Sequence, residues 1–331
     1  MLFSSITFLF AFLALVLILY FIVPRKLKNP VLLIFSLVFY AWGEAVYIVL
    51  MLASIAVAYI TGVFADRKRE NASKHGPFFA LLFAIIWNMG LLFFFKYTDF
   101  FISNANSMFG FSIKLLGLTL PIGISFYSFQ TLSYVIDVYR GEVKAQKNIV
   151  TLATYVSLFP QLIAGPIVRY QTIEDQLNYR EESFGQFADG VKRFTIGLGK
   201  KVILANNIGF LFSEISATSQ ADMSVLASWL GILAYTFQIY FDFSGYSDMS
   251  IGLGKMFGFD FLENFNYPYI SKSITEFWRR WHISLSTWFR DYVYIPLGGN
   301  RKGKARQCFN IMLVWFLTGF WHGANWNFMI W

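Results

Sequence analysis

The sequence predicts an all-α membrane protein that crosses the bilayer several times. Hydrophobic residues make up 56% of the 331 residues and charged residues only 14%, whereas about 25% are charged in a typical soluble domain. Several apolar runs approach or exceed the roughly 20 residues that a transmembrane helix needs. The polar stretches between these runs are too short for a separate soluble domain. We therefore predict a single membrane domain over residues 1–331.

Charge and cysteine content exclude other classes. The net charge of +8 comes from Lys and Arg residues that cluster between apolar runs, as orienting loop charges do, so it indicates no nucleic-acid partner. The single Cys308 excludes an intrachain disulfide and a cysteine metal cluster. Met1–Val23 lacks a basic start and a small-residue cleavage site, which favours a retained span over a signal peptide. The sequence stops inside an apolar run, so we expect the protein to continue.

The basic clusters orient the first half of the chain. Arg25–Lys28, Arg67–Lys74 and Arg140–Lys147 are expected in the cytoplasm, which places the N-terminus outside. Pro121 and the Gly and Ser residues that follow it predict a kink in the apolar segment Leu115–Tyr139. The predicted elements are a span at Met1–Val23, two tight helices within Val31–Val63 that turn at Trp42–Glu44, a span at Phe78–Phe95, an outer loop at Lys96–Lys114 and a kinked span at Leu115–Tyr139.

The second half alternates apolar and basic segments. Two prolines and a glycine within Ile149–Val168 indicate a re-entrant element, and a cytoplasmic loop or surface helix follows at Tyr170–Glu182. The remaining predicted elements are an amphipathic helix at Phe187–Lys201, a span completed at Val202–Phe212, an outer loop at Ser213–Ser224, a span at Val225–Phe243 and an amphipathic cytoplasmic-face segment at Lys272–Arg306.

His322 is the first candidate functional residue. Sixteen helical residues after Arg306, the preceding charge, place it about 24 Å along the helix, most of the way across a hydrocarbon core of about 30 Å. An ionisable residue at that depth usually marks a functional site, and the neighbouring Asn325 adds an amide group. The alternative is a histidine that only forms hydrogen bonds between packed helices, with Gly319 and Gly323 as a small-residue contact between them.

Two acidic residues form a second candidate group. Asp242 and Asp248 lie at or just inside the end of a predicted span, among serines and tyrosines. They could orient a histidine, bind a cation, join two broken helices or pair with an arginine. We favour a structural role, because acids inside membranes usually take a basic partner.

A third group lies in Ile274–Asp291. Read as a helix, this segment places five residues on one face and leaves Arg279, Arg280 and Arg290 off it. The residues on that face are Trp278, Trp281, His282, Leu285 and Trp288. One interpretation is an interfacial helix with arginines on lipid headgroups; the other directs His282 toward the same cavity as His322. A metal site is disfavoured because no third ligand has suitable spacing.

Six motifs in chain order resemble the membrane-bound O-acyltransferase (MBOAT) family, and most closely its bacterial alginate O-acetyltransferase branch. They are Leu120–Phe126, Leu162–Pro166, Tyr240–Asp248, Ser273–Ser286, Leu297–Arg301 and Trp321–Ala324. The resemblance implies a ring of transmembrane helices with re-entrant segments around a tunnel. It also implies that His322 of the Trp-His-Gly motif is catalytic, and that His282 of the Trp-Arg-Arg-Trp-His motif takes part.

The implied activity is O-acetylation in the bacterial cytoplasmic membrane. The donor would be a cytoplasmic acyl thioester such as acetyl-CoA, with no bound cofactor. The acceptor would be an exported or cell-wall polysaccharide such as alginate, reached through an extracytoplasmic acyltransferase partner. We expect His322 to act as base, kept neutral by burial, and His282 to position donor or acceptor.

Further substrate residues are expected among the aromatic and basic side chains. Arg279, Arg280, Arg290, Trp278 and Asn325 are candidates for binding the donor, although headgroup binding explains the arginines equally well. Alternative activities are transfer of a D-alanyl or other acyl group to an envelope polymer, and a non-catalytic transporter, since broken helices and midplane polar residues also mark transporters.

Overall fold

The computed structural model describes residues 1–71, 75–163, 165–219 and 221–330, and every regular element among them is helical. This confirms the all-α prediction. Four π-helical segments, at Thr7–Leu13, Phe93–Tyr97, Lys200–Ala205 and Arg290–Tyr294, and a 3₁₀ turn at Pro268–Ile270 adjoin the α-helices. The α-helices are α1 (Ala14–Ile22), α2 (Arg25–Glu44), α3 (Ile48–Glu70), α4 (Gly76–Leu92), α5 (Thr98–Phe109), α6 (Ile124–Arg140), α7 (Ile149–Ser157), α8 (Phe159–Leu162), α9 (Tyr170–Asn178), α10 (Phe184–Gly199), α11 (Asn206–Ala217), α12 (Val225–Met256), α13 (Ile274–Arg280), α14 (Ile283–Phe289), α15 (Lys304–His322) and α16 (Trp326–Ile330).

Two helices within the described ranges are long and apolar enough by themselves to cross a membrane, Ile48–Glu70 and Gly76–Phe109. Thr7–Ile22 is a shorter apolar helix. Other long helices carry more polar residues; α12, for example, contains Asp242 and Asp248. The larger number of spans expected from the sequence stays a prediction.

The structure corrects the predicted outer loop at Lys96–Lys114. The helix that begins at Gly76 runs on through a π-helical segment to Phe109. It ends there because Gly110 adopts a positive φ of 69° and its N–H bonds to Asn106 O, a typical glycine stop. Residues 96–109 of the predicted loop are therefore helical.

Three other boundaries differ from the predictions. Arg25–Lys28 forms the first turn of α2 rather than a loop. The kinked span expected from Leu115 becomes helical only at Ile124, after Gly123 with φ 75°. The amphipathic helix and the span that it leads into form one helix, which begins at Phe184 and ends at Ala217 rather than at Phe187 and Phe212. The turn predicted near Trp42–Glu44 is confirmed, since α2 ends at Glu44.

The predicted re-entrant element at Ile149–Val168 contains two short helices. α7 ends at Ser157, and Leu158 leaves the helical conformation with ψ 110° before α8. A break is expected there because Pro160 follows and fits only the first turn of a helix. Lys74 and Ala164, which belong to a predicted basic cluster and a quoted motif, lie outside the described residues.

The chain packs into two compact units. The first unit comprises Met1–Phe35, Leu158–Val168 and Thr172–Ile283; the second comprises Ser36–Ser157, Arg169–Gln171 and Ser284–Trp331. The unit boundaries do not bear on the predicted single membrane domain, which stays a prediction.

Glycines bring α10 and α12 into backbone contact in the first unit. A Cβ on Gly197 would lie 2.6 Å from Gly245 O, and one on Gly190 would lie 2.7 Å from Gly252 O. Both pairs are spaced seven residues apart on their helices, so they repeat along one face. Small residues allow this approach, as in membrane helix pairs generally.

A buried polar cluster joins the ends of several elements of the first unit. The Tyr20 hydroxyl donates to Phe257 O at 2.8 Å and lies 2.6 Å from Glu182 Oε1. Lys28 Nζ lies 2.8 Å from the same carboxylate, and Arg180 Nε donates to the Tyr20 oxygen at 2.7 Å. Two cations therefore compensate Glu182, as a partly buried carboxylate requires.

The second unit is built around α3, α4 and α6. Hydrogen bonds cross between these apolar helices: Trp87 donates to Ser54 at 3.1 Å, and Thr131 donates to Asn88 at 2.9 Å. The Tyr134 ring of α6 lies against Gly62 of α3, where a Cβ would come within 2.9 Å of the ring. Such polar bonds between small-residue contacts are common among membrane helices.

Candidate functional site

His322 is the last residue of α15, and the helix runs unbroken from Lys304. The sixteen-residue helical separation from Arg306 is confirmed. The helix ends because Gly323 is extended, while its N–H still bonds to Gly319 O at 3.3 Å. The imidazole centroid lies 5.0 Å from the Trp321 ring and 6.3 Å from that of Phe328.

Among the residues that the structure describes, the His322 side chain is exposed. The cavity expected around it from the sequence stays a prediction. Gly323 has a clear packing role, because a Cβ there would lie 2.5 Å from the Phe328 ring. The stacking of Phe328 near His322 therefore depends on this glycine.

Asn325 organises the turn after His322. Its Oδ1 accepts the Asn327 N–H at 2.9 Å, and its carbonyl oxygen accepts from Phe328 and Met329 at 3.1 and 3.2 Å. These bonds start α16 in the way that asparagine favours at a helix N-terminus. The expected role of Asn325 in binding substrate stays a prediction.

His282 is 3% exposed and lies in a network of polar groups in the first unit. Its Nδ1 is 3.1 Å from Asn264 Oδ1, and Asn264 Nδ2 in turn donates to Ser247 Oγ at 3.1 Å. The Phe243 ring stands almost perpendicular to the imidazole at 4.8 Å.

This network assigns a tautomer to His282. Because Asn264 Nδ2 donates to Ser247, its Oδ1 is the group that faces the histidine and accepts a hydrogen bond from Nδ1–H. The neutral imidazole then carries its lone pair on Nε2. A histidine oriented in this way can accept a proton or a hydrogen bond from a hydroxyl or thiol.

The prediction of a single helix over Ile274–Asp291 is wrong. α13 ends at Arg280, Trp281 is extended, and His282 has a positive φ of 43°. The break forms because Ile283 N–H bonds to Asn264 O at 2.9 Å and Asn266 N–H bonds to Arg280 O at 2.9 Å. These long-range bonds replace the helical ones, so the predicted stripe of five residues is not one face.

The expected donor-binding residues of α13 differ in their contacts. Arg279 is exposed. Arg280 pairs with Glu276 at 2.8 Å and donates to Asn266 O at 3.1 Å. It therefore links α13 to the segment that contains Asn264 and Asn266. The Trp278 ring lies 5.1 Å from that of Phe277.

Arg290 belongs to a group of three arginines in the second unit. It bonds to Asp291 Oδ1 at 2.6 Å, while Arg169 pairs with Asp291 Oδ2 at 2.8 Å and Arg140 donates to Asp291 O at 3.1 Å. The guanidinium groups of Arg140 and Arg169 also lie 5.2 and 5.0 Å from the Tyr292 ring. Arg140 and Arg169 were not predicted as site residues, since neither shares a segment with Arg290.

The Asp291 carboxylate is ionised within this group. Burial alone would raise its pKa, but hydrogen bonds from Arg290 and Arg169 outweigh burial and hold the pKa below its usual value. Arg290 and Arg169 bond to this carboxylate, whereas Arg140 bonds to the Asp291 backbone carbonyl and lies 3.7 Å from Glu142. Guanidinium groups gathered in this way suit an anionic ligand.

Asp242 and Asp248 both have basic partners in the first unit. Asp248 lies 2.6 Å from both Arg193 and Lys200, and Asp242 pairs with Lys201. The partners come from α10 and the following π-helical segment, so the ion pairs link that helix to α12. These contacts agree with the favoured structural role, which stays a prediction. No group of three or more His, Cys, Asp or Glu side chains suited to a metal occurs among the residues described.

Comparison of the sequence with known proteins identifies the family. The family model for membrane-bound O-acyltransferases matches residues 140–331. The chain belongs to this family. "Probable alginate O-acetylase AlgI" of Azotobacter vinelandii is 47% identical over 100% of this chain and 66% of its own length. The peptidoglycan O-acetyltransferase of Helicobacter pylori is 38% identical over 100% of this chain and 68% of its own length.

A more distant relative transfers a different group. The teichoic acid D-alanyltransferase of Bacillus subtilis is 31% identical over 63% of this chain and 55% of its own length. The chain spans about two thirds of the length of the alginate O-acetylase relatives that it matches. Membership in this family makes the chain a membrane protein, as the sequence predicted.

Proposed function

We propose that this protein is an O-acetyltransferase that moves an acetyl group from a cytoplasmic thioester toward an exported polysaccharide, alginate being the favoured acceptor. The observation that supports this most is 47% identity along the entire chain to the alginate O-acetylase relative. The matched region spans both histidine motifs and the segments that surround them. The protein is proposed to lie in the bacterial cytoplasmic membrane as a multi-pass helical ring around a tunnel.

The proposed chemistry is transfer of an acyl group from sulfur to oxygen. His322 takes the proton from the attacking hydroxyl, whose oxygen bonds to the thioester carbonyl carbon. The resulting intermediate then breaks its carbon–sulfur bond, so that an ester forms and the thiolate leaves and is protonated. A general base contributes about 10²–10⁴ in rate to such a step. His282, with its lone pair on Nε2, is proposed to accept a hydrogen bond that positions donor or acceptor.

The arginines are proposed to bind the acyl donor, for which acetyl-CoA is the favoured candidate. The grouping of Arg140, Arg169 and Arg290 supports phosphate binding, because guanidinium groups bind phosphate oxygens in a bidentate fashion. Secondary candidates for binding the donor are Arg279, Arg280 and Trp278. An extracytoplasmic acyltransferase partner is proposed to pass the acetyl group to the polymer.

Peptidoglycan is the second candidate acceptor, favoured by the 38% identity to the Helicobacter pylori relative. D-alanyl transfer is the third candidate, favoured by the relative from Bacillus subtilis. The acyl group and the polymer that carries it, compared between cells with and without the gene, distinguish these three candidates.

Purified full-length protein with acetyl-CoA labelled in the acetyl group tests the proposed reaction. We expect thiol release that increases when an acceptor hydroxyl is supplied, with the label recovered as an ester. Movement of labelled solute into protein-containing vesicles without thiol release would instead support the transporter.

A further inference from the structure

Two side chains from a distant helix bond to the end of α15, next to His322. Lys96 Nζ donates to Trp321 O and the Tyr97 hydroxyl donates to Phe320 O. Both donors lie in the π-helical segment Phe93–Tyr97 of the long helix that begins at Gly76. Donor and acceptor residues all belong to the second unit.

These bonds satisfy carbonyl oxygens that a helix end leaves without helical partners. The last four carbonyl groups of an α-helix have no intrahelical donor, and such groups are costly in a membrane, where water is absent. Gly319 O accepts from Gly323 N–H, so Tyr97 and Lys96 satisfy the next two carbonyls. The Lys96 ammonium group also lies at the negative end of the helix dipole.

The ring contacts keep the same elements in register. The Tyr97 ring stacks on Phe320 with centroids 3.9 Å apart and planes within 7°. On the other side of His322, Trp326 Nε1 donates to Asn104 Oδ1 at 2.8 Å. The long helix therefore holds the chain both before and after His322.

The two consecutive donors lie in a π-helical segment of the long helix. Such segments inside α-helices are frequent at functional sites. Lys96 is half-buried and Tyr97 is only 4% exposed.

We propose that Lys96 and Tyr97 are positioning residues that fix the orientation of His322 by capping the last turn of α15. This inference rests on the proposed function, in which His322 is the base. A displacement of about 1 Å at a reacting group can reduce the rate about 10²-fold, so a loosened helix end would lower kcat. Donor affinity would change little, because neither residue is expected to contact the donor.

Four variants of the full-length protein test this. Lys96→Met removes the charged donor, Lys96→Arg keeps one, and Tyr97→Phe removes only the hydroxyl while retaining the stacked ring. Lys114→Met is the matched control, since Lys114 is exposed in the segment after α5. Acetyl transfer from acetyl-CoA is measured per mole of folded protein, with kcat and KM determined separately.

We expect Lys96→Met and Tyr97→Phe to lower kcat at least about tenfold with the KM for acetyl-CoA unchanged, consistent with misplacement of a reacting group. Lys96→Arg should recover most of the loss, and Lys114→Met should match the wild type. Wild-type kcat in Tyr97→Phe and Lys96→Met would overturn the inference, as would a loss explained entirely by unfolded protein. If Lys96→Met does not fold, Tyr97→Phe decides alone.

His322→Ala is measured in parallel. Retained activity in His322→Ala would contradict the proposed function itself. An inactive His322→Ala together with fully active Lys96→Met and Tyr97→Phe would contradict only the positioning role.

Discussion

His282 has a left-handed backbone conformation, with φ 43°. Residues other than glycine seldom adopt this conformation. Such a conformation costs about 1–3 kcal/mol and persists only where surrounding bonds enforce it. Here the bonds from Ile283 to Asn264 and from Asn266 to Arg280 enforce it. Strain of this kind clusters at active sites, which agrees with a functional role for His282.

Replacing Asn264 tests this arrangement. Asn264→Ala removes the acceptor that fixes the Nδ1–H tautomer of His282. We therefore expect the rate of acetyl transfer to fall at least about tenfold, which is equivalent to about 1.4 kcal/mol and exceeds the roughly 1 kcal/mol of one hydrogen bond. The measurement is kcat/KM with acetyl-CoA. Asn266→Ala is the control, because Asn266 is exposed and contributes backbone bonds here. Equal activity of the two variants would show that the tautomer is irrelevant.

The sequence predicted His322 and His282 as site residues, but it did not predict the residues that contact them or the turn beside them. Both histidines stand out because an ionisable group in an apolar segment is unusual. Asn264 lies 18 residues before His282 and reaches it only through the break after Arg280. Lys96 lies 225 residues before Trp321 in sequence, and its position in the fold depends on a helix that the sequence pattern ended too early.

Helix packing in the first unit depends on glycine positions that the sequence does not distinguish. Gly197 and Gly199 both lie in α10, yet only Gly197 faces α12. A Cβ on Gly197 would lie 2.6 Å from Gly245 O and 2.7 Å from Met249 N, whereas one on Gly199 meets nothing within 4 Å.

This difference predicts opposite effects of one substitution. Gly197→Ala should destabilise the protein by about 1–3 kcal/mol or more, because backbone atoms of α12 cannot yield as a flexible side chain can. Gly199→Ala should be neutral or slightly stabilising, since alanine has the higher helix propensity. Thermal unfolding of the two purified variants compares them. Similar melting temperatures would mean that α10 and α12 do not pack as described.

Helix boundaries were predictable where local chemistry decides them. The turn after Glu44 was anticipated, whereas the break at Trp281–His282 was not, because it contains neither Gly nor Pro. Long-range hydrogen bonds to Asn264 and Asn266 decide that break. Secondary-structure patterns carry no information about such bonds.

At the scale of the whole molecule, composition was sufficient for the all-α class and for a membrane protein. The two compact units could not be predicted, because three of their five boundaries fall inside the helices α2, α9 and α14 rather than at loops. The ring, tunnel and shared cavity for His282 and His322 stay predictions.

The predicted orientation can be measured with cysteine labelling within the first unit. Cys308 is the single cysteine and is exposed, so it is replaced by serine first. Ser216→Cys should react with an impermeant maleimide in intact spheroplasts, whereas Lys26→Cys should react only after lysis, because basic clusters stay in the cytoplasm. Both native side chains are exposed. Labelling of both positions before lysis would refute the orientation.

The most direct test of the central claim is complementation of a deletion strain with full-length His322→Ala. Acyl esters on the exported polymer and the amount of protein in the membrane are measured together. We expect acylation to be abolished with protein levels near wild type, because water does not replace a general base that contributes about 10²–10⁴ in rate, and alanine is compatible with the last residue of helix α15. Near-normal acylation would contradict a catalytic His322, and loss of acylation matched by loss of protein would show that the histidine only stabilises the fold.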